Sequence, residues 1–322
     1  MNTRLKTSLS ILILLPLCSF SVAAQKLYKF QDAQGTWHFT DKPTGTELKL
    51  EVRQLKAPAP KQWVWLLRSG DKRHPRFFIR NDYAGPVEVE IDFTEQNNIQ
   101  ATPDLPRRFV VAPGKSDTLF EINPVDDHQP SRFTLQYRYV IGRPLAHYRS
   151  SASYLPPIAP DTPFQISQAF GGSFSHADEQ NKYAVDIIMP IGTPVYAARS
   201  GIVLEAEDDF SKGGANRAYA SEANNIRILH DDGSMALYAH LELEKAQVYP
   251  GMAVAAGQLI GYSGNTGFTT GPHLHFTVQI NRDMKLVSVP FTFINRQGLA
   301  EEPAVNTWLK RSAPQQMDNA VK

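Results

Sequence analysis

The sequence predicts a mostly β protein in three parts: an N-terminal β-hairpin module, an antiparallel β-sandwich and a C-terminal all-β domain. Three observations lead there. Apolar and polar residues alternate with period two over several stretches, the mark of half-buried strands. Gly, Pro, Asn and Asp gather between these runs as turns. Almost no segment carries the 3.6-residue apolar spacing of an amphipathic helix.

Residues 1–24 place Arg4 and Lys6 before the apolar run Leu9 to Phe20, followed by Ser21-Val22-Ala23-Ala24 and Gln25. This is the pattern of a secretory signal peptide cleaved after Ala24. The run is well short of the roughly 20 apolar residues that span a bilayer, so no stable transmembrane segment is expected after processing; a retained anchor is the alternative. Cys18 is the single cysteine and lies inside that segment, so disulfides and thiolate metal ligands are excluded from the processed chain. Leu17 stands where a lipoprotein carries a small residue, which argues against lipid attachment. The formal charge is +1 and falls to −1 without Arg4 and Lys6. Such a balance holds no basic excess to neutralise phosphates, so nucleic acid is not a partner class.

Residues 25–55 form the small N-terminal module, in which Leu27-Tyr28-Lys29-Phe30 and Trp37-His38-Phe39-Thr40 flank the turn-forming Asp32 to Gly35 as a β-hairpin. Residues 56–61 alternate proline with other residues and read as an extended linker. Across 62–150, Val87, Val89, Ile91 and Phe93 alternate with Glu88, Glu90 and Asp92, and Phe133, Leu135, Tyr137 and Tyr139 with Thr134, Gln136 and Arg138. That pattern gives the sandwich. Residues 151–163 carry Pro156, Pro157, Pro160 and Pro163 and read as a second linker. From 164 to 295 short apolar runs at Thr193 to Ala198, Ile202 to Ala206, Asn225 to His230, Met235 to His240 and His273 to Ile280 are punctuated by glycine, as in an all-β domain. Residues 296–322 form a polar tail expected to fray or to pack only through Trp308.

The last domain also concentrates the candidate chemistry. His273 and His275 flank Leu274, and residues two apart on a strand project from one face. Spacing alone permits both rings to be ligands, or neither. Upstream lie His176, Asp186 in Ala184-Val185-Asp186-Ile187-Ile188, and His240 in Tyr238-Ala239-His240-Leu241. Three imidazoles and a carboxylate meet the nitrogen and oxygen preference of zinc, with an imidazole left for acid/base work. His74, His128 and His147 have no partner motif and are expected to be solvated or structural, as is His38.

The ordered words Asp186-Ile187-Ile188-Met189-Pro190-Ile191-Gly192-Thr193-Pro194-Val195, Leu237-Tyr238-Ala239-His240-Leu241, Ile260-Gly261-Tyr262-Ser263-Gly264-Asn265-Thr266-Gly267 and Gly271-Pro272-His273-Leu274-His275-Phe276 resemble the lysostaphin-type, or LytM-like, zinc metallopeptidases. The first residues of the module, for their part, resemble a small domain of unknown function at the N-termini of exported proteobacterial proteins. The LytM-like resemblance implies a zinc ion held by Asp186, His275 and an upstream histidine, with His240 and His273 acting on substrate and water. In the family that histidine precedes the aspartate by four positions, where this chain has Lys182. A protonated amine is no ligand, so His176 is assigned, with Ala177 to Asn181 looping out. Gly261, Gly264, Gly267 and Gly271 are expected at tight turns beside the substrate groove. The implied function is a periplasmic endopeptidase that cuts peptide cross-links of peptidoglycan, at D-alanyl to diaminopimelyl bonds, on peptide stems. The alternative is a catalytically inactive relative that regulates a cell-wall amidase.

Overall fold

The computed structural model describes residues 25–31, 37–40, 51–55, 62–148, 152–173 and 175–311, and its chain divides into two compact units, Met1–Pro60 and Lys61–Lys322. The expected signal segment, the turn Asp32 to Gly35 and the 56–61 linker lie outside the described residues. In the first unit the strand Gln25–Gln31 is central. It pairs antiparallel with Trp37–Thr40, giving the expected hairpin strands, and with Glu51–Leu55. That third strand corrects the hairpin reading. Its sequence, Glu-Val-Arg-Gln-Leu, spaces its two apolar residues by three and so shows no period-two signal.

In the second unit, two antiparallel sheets share one core. One contains Val64–Ser69, Arg76–Asn81, Phe120–Pro124 and Ile99–Thr102, the other Arg132–Ile141, Val87–Asn97 and Arg107–Val111. Ile79, Phe120 and Ile122 from the first pack with Val87, Val89 and Ile91 from the second, and Phe77 meets Phe133 edge-on at 6.1 Å. Glu90 takes its expected outward position and accepts from Arg108 and Arg138. Glu88 does not: it is buried, and its carboxylate accepts from Asn281 Nδ2 at 2.8 Å. That end of the strand abuts the C-terminal layer.

The C-terminal layer is a nine-stranded antiparallel sheet, ordered Ala253–Val254, Gly201–Glu207, Asn225–Leu229, Met235–Ala239, His273–Arg282, Val185–Ile188, Phe164–Gln168 and Trp308–Leu309, with Lys285–Ser288 folded back on His273–Arg282. Leu274, Phe276, Val278 and Ile280 enter the apolar core, so by alternation His273, His275, Thr277 and Gln279 take the other face. Leu204 and Met235 from this sheet pack into the sandwich core, and the backbone oxygen of buried Asn281 accepts from Leu145 N at 2.8 Å. Sandwich and C-terminal sheet thus form one compact body.

Two boundary readings are corrected. The 151–163 segment is no spacer: Ser153–Tyr154 pairs parallel with Thr292–Ile294, and Tyr154 and Ile158 are fully buried. Proline holds this segment extended while Tyr154 and Ile158 enter the core. The tail is ordered through Arg311, since Ala300–Glu301 pairs with Thr292–Ile294 and Trp308–Leu309 with Phe164–Gln168. Trp308 is 60 % exposed, and the anchors are buried Leu309 and Arg311, whose guanidinium donates to Ile158 O at 3.2 Å.

His230 closes a buried corner of this body, its Nδ1 donating to Ser200 O at 2.8 Å and its ring edge-on to Tyr154. Its Nε2 is buried with no hydrogen-bond partner. Burial drives its pKa down to about 4, with the Ser200 carbonyl opposing and the Arg199 charge assisting. An unfolded histidine titrates near 6.5, so between roughly pH 6.5 and 4 the unfolded chain takes up a proton that the folded chain refuses. Stability therefore falls with acidification, by about 3 kcal/mol from this group. Urea titrations of the metal-stripped protein at pH 7 and pH 4 should show that loss in the native sequence and a smaller one in His230→Gln.

Candidate metal centre

Asp186 and His275 are direct cross-strand partners on Val185–Ile188 and His273–Arg282. Their neighbours Ile187 and Leu274 are fully buried on the opposite face, which locks the register. His275 Nδ1 lies 2.9 Å from Asp186 Oδ1. His176 arrives from a turn in which its amide donates to Gly172 O at 3.0 Å, and its Nε2 lies 3.2 Å from the same Asp186 oxygen. All three residues are buried, and their ligand atoms lie within 4.8 Å of one another. Lys182, at the shifted position, is exposed and sets its ammonium 5.5 Å over the Tyr183 ring. The intervening loop is organised by Asp178, whose carboxylate accepts from the backbone amides of Gln180 and Asn181 and from Asn181 Nδ2.

Each histidine of the cluster has one nitrogen beside an oxygen acceptor. His176 Nδ1 faces Ala169 O at 3.0 Å, His275 Nε2 faces Asn181 Oδ1 at 3.1 Å, His240 Nδ1 faces Thr266 O at 2.7 Å and His273 Nδ1 faces Gly271 O at 2.8 Å. These acceptors assign the proton to the outer nitrogen of each neutral ring. The inner nitrogens of His176 and His275 then present lone pairs to Asp186 Oδ1. Gln168 Nε2 donates to Asp186 Oδ2 at 2.8 Å, which engages the other carboxylate oxygen. Three electron-pair donors facing one another repel unless a cation lies between them, and the two-nitrogen, one-oxygen set fits a metal ion.

The electrostatics show the same demand for positive charge at this point, met without a cation by protons on the inner nitrogens. Burial opposes charge on His176, yet the Asp186 carboxylate outweighs it and raises the imidazole above its ordinary range. Burial likewise opposes ionisation of Asp186, and the hydrogen bonds from His176 and His275 overcome it, holding the carboxyl well below the usual range. His240 and His273 are different. Burial, and then the neighbouring histidines, push His240 down to about 3. Burial also lowers His273, against the pull of Asp186. Their ring centroids are 4.6 Å apart, and both line a cleft of about 430 Å³ that also holds Asp186, His275 and Arg217.

His240 has φ of +63°, a left-handed backbone that a residue with a β-carbon adopts at a cost. The loop beside it explains how this conformation is held. Gly264 N donates to His240 O at 2.9 Å, and Thr266, whose carbonyl takes the ring proton, donates through Oγ1 to Leu241 O at 2.9 Å. A β-carbon on Gly264 would lie 2.6 Å from Glu242 N, and Gly267 has φ of +80°, so two of the four singled-out glycines are required here. Gly271 faces open space.

Sequence reasoning missed Gln168 and Asn181. Both act through one side-chain amide, which leaves no spacing pattern; Asn181 sits in the segment expected only to loop out. His74, His128 and His147 are exposed and stand outside the cluster.

A family model described as Peptidase family M23 matches residues 180–286, and one described as Domain of unknown function (DUF4124) matches residues 14–62. The first match includes Asp186, His240, His273 and His275 and begins after His176, so the support for that residue comes from the geometry and not from the match. The chain is 41 % identical to Lysostaphin of Staphylococcus simulans over 31 % of its own length and 18 % of that protein's. It is 40 % identical to Glycyl-glycine endopeptidase ALE-1 of Staphylococcus capitis, over 31 % and 25 %. It is 44 % identical to Peptidoglycan DD-endopeptidase ShyA of Vibrio cholerae, over 28 % and 18 %. The chain thus spans a quarter or less of the length of these three relatives.

Asn181 offers a direct check on the ligand geometry. Asn181→Leu removes the acceptor that fixes the His275 tautomer and should weaken metal binding by roughly 10- to 100-fold, whereas Asn181→Asp keeps that acceptor but faces the Asp178 carboxylate and should lose less. Competition with a chromophoric chelator measures both.

Proposed function

Residues 180–286 are a Peptidase family M23 domain, and from that premise we propose that the chain is a zinc endopeptidase that hydrolyses peptide cross-links of peptidoglycan. The observation that carries this reading is the convergence of His176 Nε2, His275 Nδ1 and Asp186 Oδ1 beside two further imidazoles that stay neutral. His176, Asp186 and His275 would hold the ion. When bound, zinc lowers the pKa of a coordinated water and polarises the scissile carbonyl.

The remaining work falls to the chain's own groups. His240 donates its Nδ1 proton to Thr266 O, so Nε2 is free to take a proton from the attacking water. His273 donates Nδ1–H to Gly271 O and turns its other nitrogen to the same space, suited to accept a hydrogen bond from the water and orient it, while the proton taken up by His240 passes on to the leaving amine. The low pKa of His240 keeps that ring unprotonated across the neutral range, which leaves its lone pair available at the expense of basicity. Gln168 and Asn181 keep Asp186 and His275 from rotating.

The bond we favour joins D-alanine to diaminopimelate. The name of the Vibrio relative supports a DD-endopeptidase, and that of the Staphylococcus capitis relative a glycyl-glycine one. The cleft lining includes Arg217, Arg227, Asp178 and Glu205, charges of both signs that suit a charged stem better than a glycine chain. The signal pattern of residues 1–24 supports a periplasmic setting. An inactive amidase regulator is disfavoured, because all five positions are filled by groups able to do the chemistry.

Purified protein should contain one zinc per chain by elemental analysis and convert cross-linked muropeptide dimers to monomers, a change read by chromatography; absence of both would favour the regulator. His275→Ala and His176→Ala should each lose metal and activity together. His273→Ala should keep its metal and lose about 10²- to 10⁴-fold in kcat. A His273→Ala protein without metal would reverse the assigned roles of the pair.

A further inference from the structure

A cavity of about 910 Å³ lies between the sandwich and the C-terminal sheet. It and the metal cleft share Asp178, Glu205 and Arg227 in their walls, so the two spaces meet there. The sheet register shows how. Asn225, Ala239 and His275 form one cross-strand row, and Arg227, Leu237 and Thr277 form the next, displaced by two residues or about 7 Å along the strands. The cleft floor therefore continues from the metal row past Arg227 to a space walled by Tyr83 and Tyr139 of the sandwich.

The lining has a definite chemistry. Arg227 is buried, and its Nε and Nη1 donate to Glu205 Oε2 at 2.7 Å and Gln279 Oε1 at 2.6 Å. Glu179 and Lys285 line the cavity as an ion pair at 3.8 Å, with most of each side chain exposed. Charges of both signs alternate with the tyrosine rings and with Met284 and Leu286. The Ala177–Asn181 loop separates this cavity from the metal: Gln180 O accepts from Gln279 Nε2 at 2.9 Å, while Asn181 accepts from His275. The segment between His176 and Asp186 thus builds one wall of the cavity as well as the support of a metal ligand.

We propose that this cavity is a second substrate subsite, made jointly by the sandwich and the 177–181 loop, which takes a peptide stem carrying both free carboxylate and free amine groups. It rests on the peptidoglycan reading given above and deepens it. The volume falls in the range of ligand-binding pockets, and a mixed-charge wall with aromatic faces favours a zwitterionic peptide over an uncharged one. The sandwich is then part of the binding surface, and selectivity for charged stems is set beside the metal row and not within it.

The test is binding by the metal-loaded full chain of a free tetrapeptide stem ending in diaminopimelyl-D-alanine, measured by calorimetry with pentaglycine as the neutral probe. The native protein should favour the stem at least tenfold. Lys285→Trp and Glu179→Trp, which add bulk to the lining at exposed positions and remove one charge each, should each weaken stem binding tenfold or more, with zinc content and melting temperature unchanged. Equal stem affinity in the native protein and in both variants, or equal affinity for stem and pentaglycine, would overturn the subsite. The two readings fail separately. A native chain that binds the stem but cuts no cross-link loses the endopeptidase reading and keeps the subsite; one that cuts cross-links with unchanged KM in both variants and binds the stem equally loses the subsite alone.

Discussion

The site depends on one cross-strand pairing, Asp186 opposite His275. Because side chains alternate on a strand, a slip of one residue would drive the histidines into the core and expose Leu274, Phe276 and Val278. Burying each such side chain stabilises by about 1.5–3 kcal/mol, so the apolar face holds the polar face in register. Everything else closes on that pair: His176 from a local turn, Gln168 from the adjoining strand, Asn181 from the loop between them.

The cluster also shows how one residue type is given two kinds of work. All four imidazoles have an outward nitrogen engaged by a neighbouring oxygen, Nδ1 in His176, His240 and His273 and Nε2 in His275, so each tautomer is fixed by a contact of the same kind. What separates His176 from His240 is distance from the carboxylate. His176 touches Asp186 and favours positive charge, whereas His240, buried farther from it and beside other histidines, resists charge. A metal and a base can thereby coexist within one small cleft.

Legibility in the sequence followed the strength of local periodicity. The strand His273–Arg282 could be read with its two faces because apolar residues occupy every second position through Ile280. The strand Glu51–Leu55 could not, having no such alternation. Composition misjudged residues 151–163 and the tail for a related reason: burial there is decided by single residues, Tyr154, Ile158, Leu309 and Arg311, set among prolines and polar neighbours. Asp186, His240, His273 and His275 stood in recognisable words. His176 did not, and its place rests on a loop whose closure is visible only in three dimensions. The amides of Gln168 and Asn181, and the cavity behind Arg227, arise from contacts between distant segments and have no signature along the chain.

The left-handed backbone at His240 has a consequence of another kind. Glycine would relieve the strain at that position, and asparagine would tolerate it, yet either removes the imidazole. Thermodynamic improvement and chemical competence are therefore opposed at this one residue. Variants chosen only for thermal robustness would be drawn to discard it, and a stabilised descendant of this chain would need to find its gains elsewhere in the body.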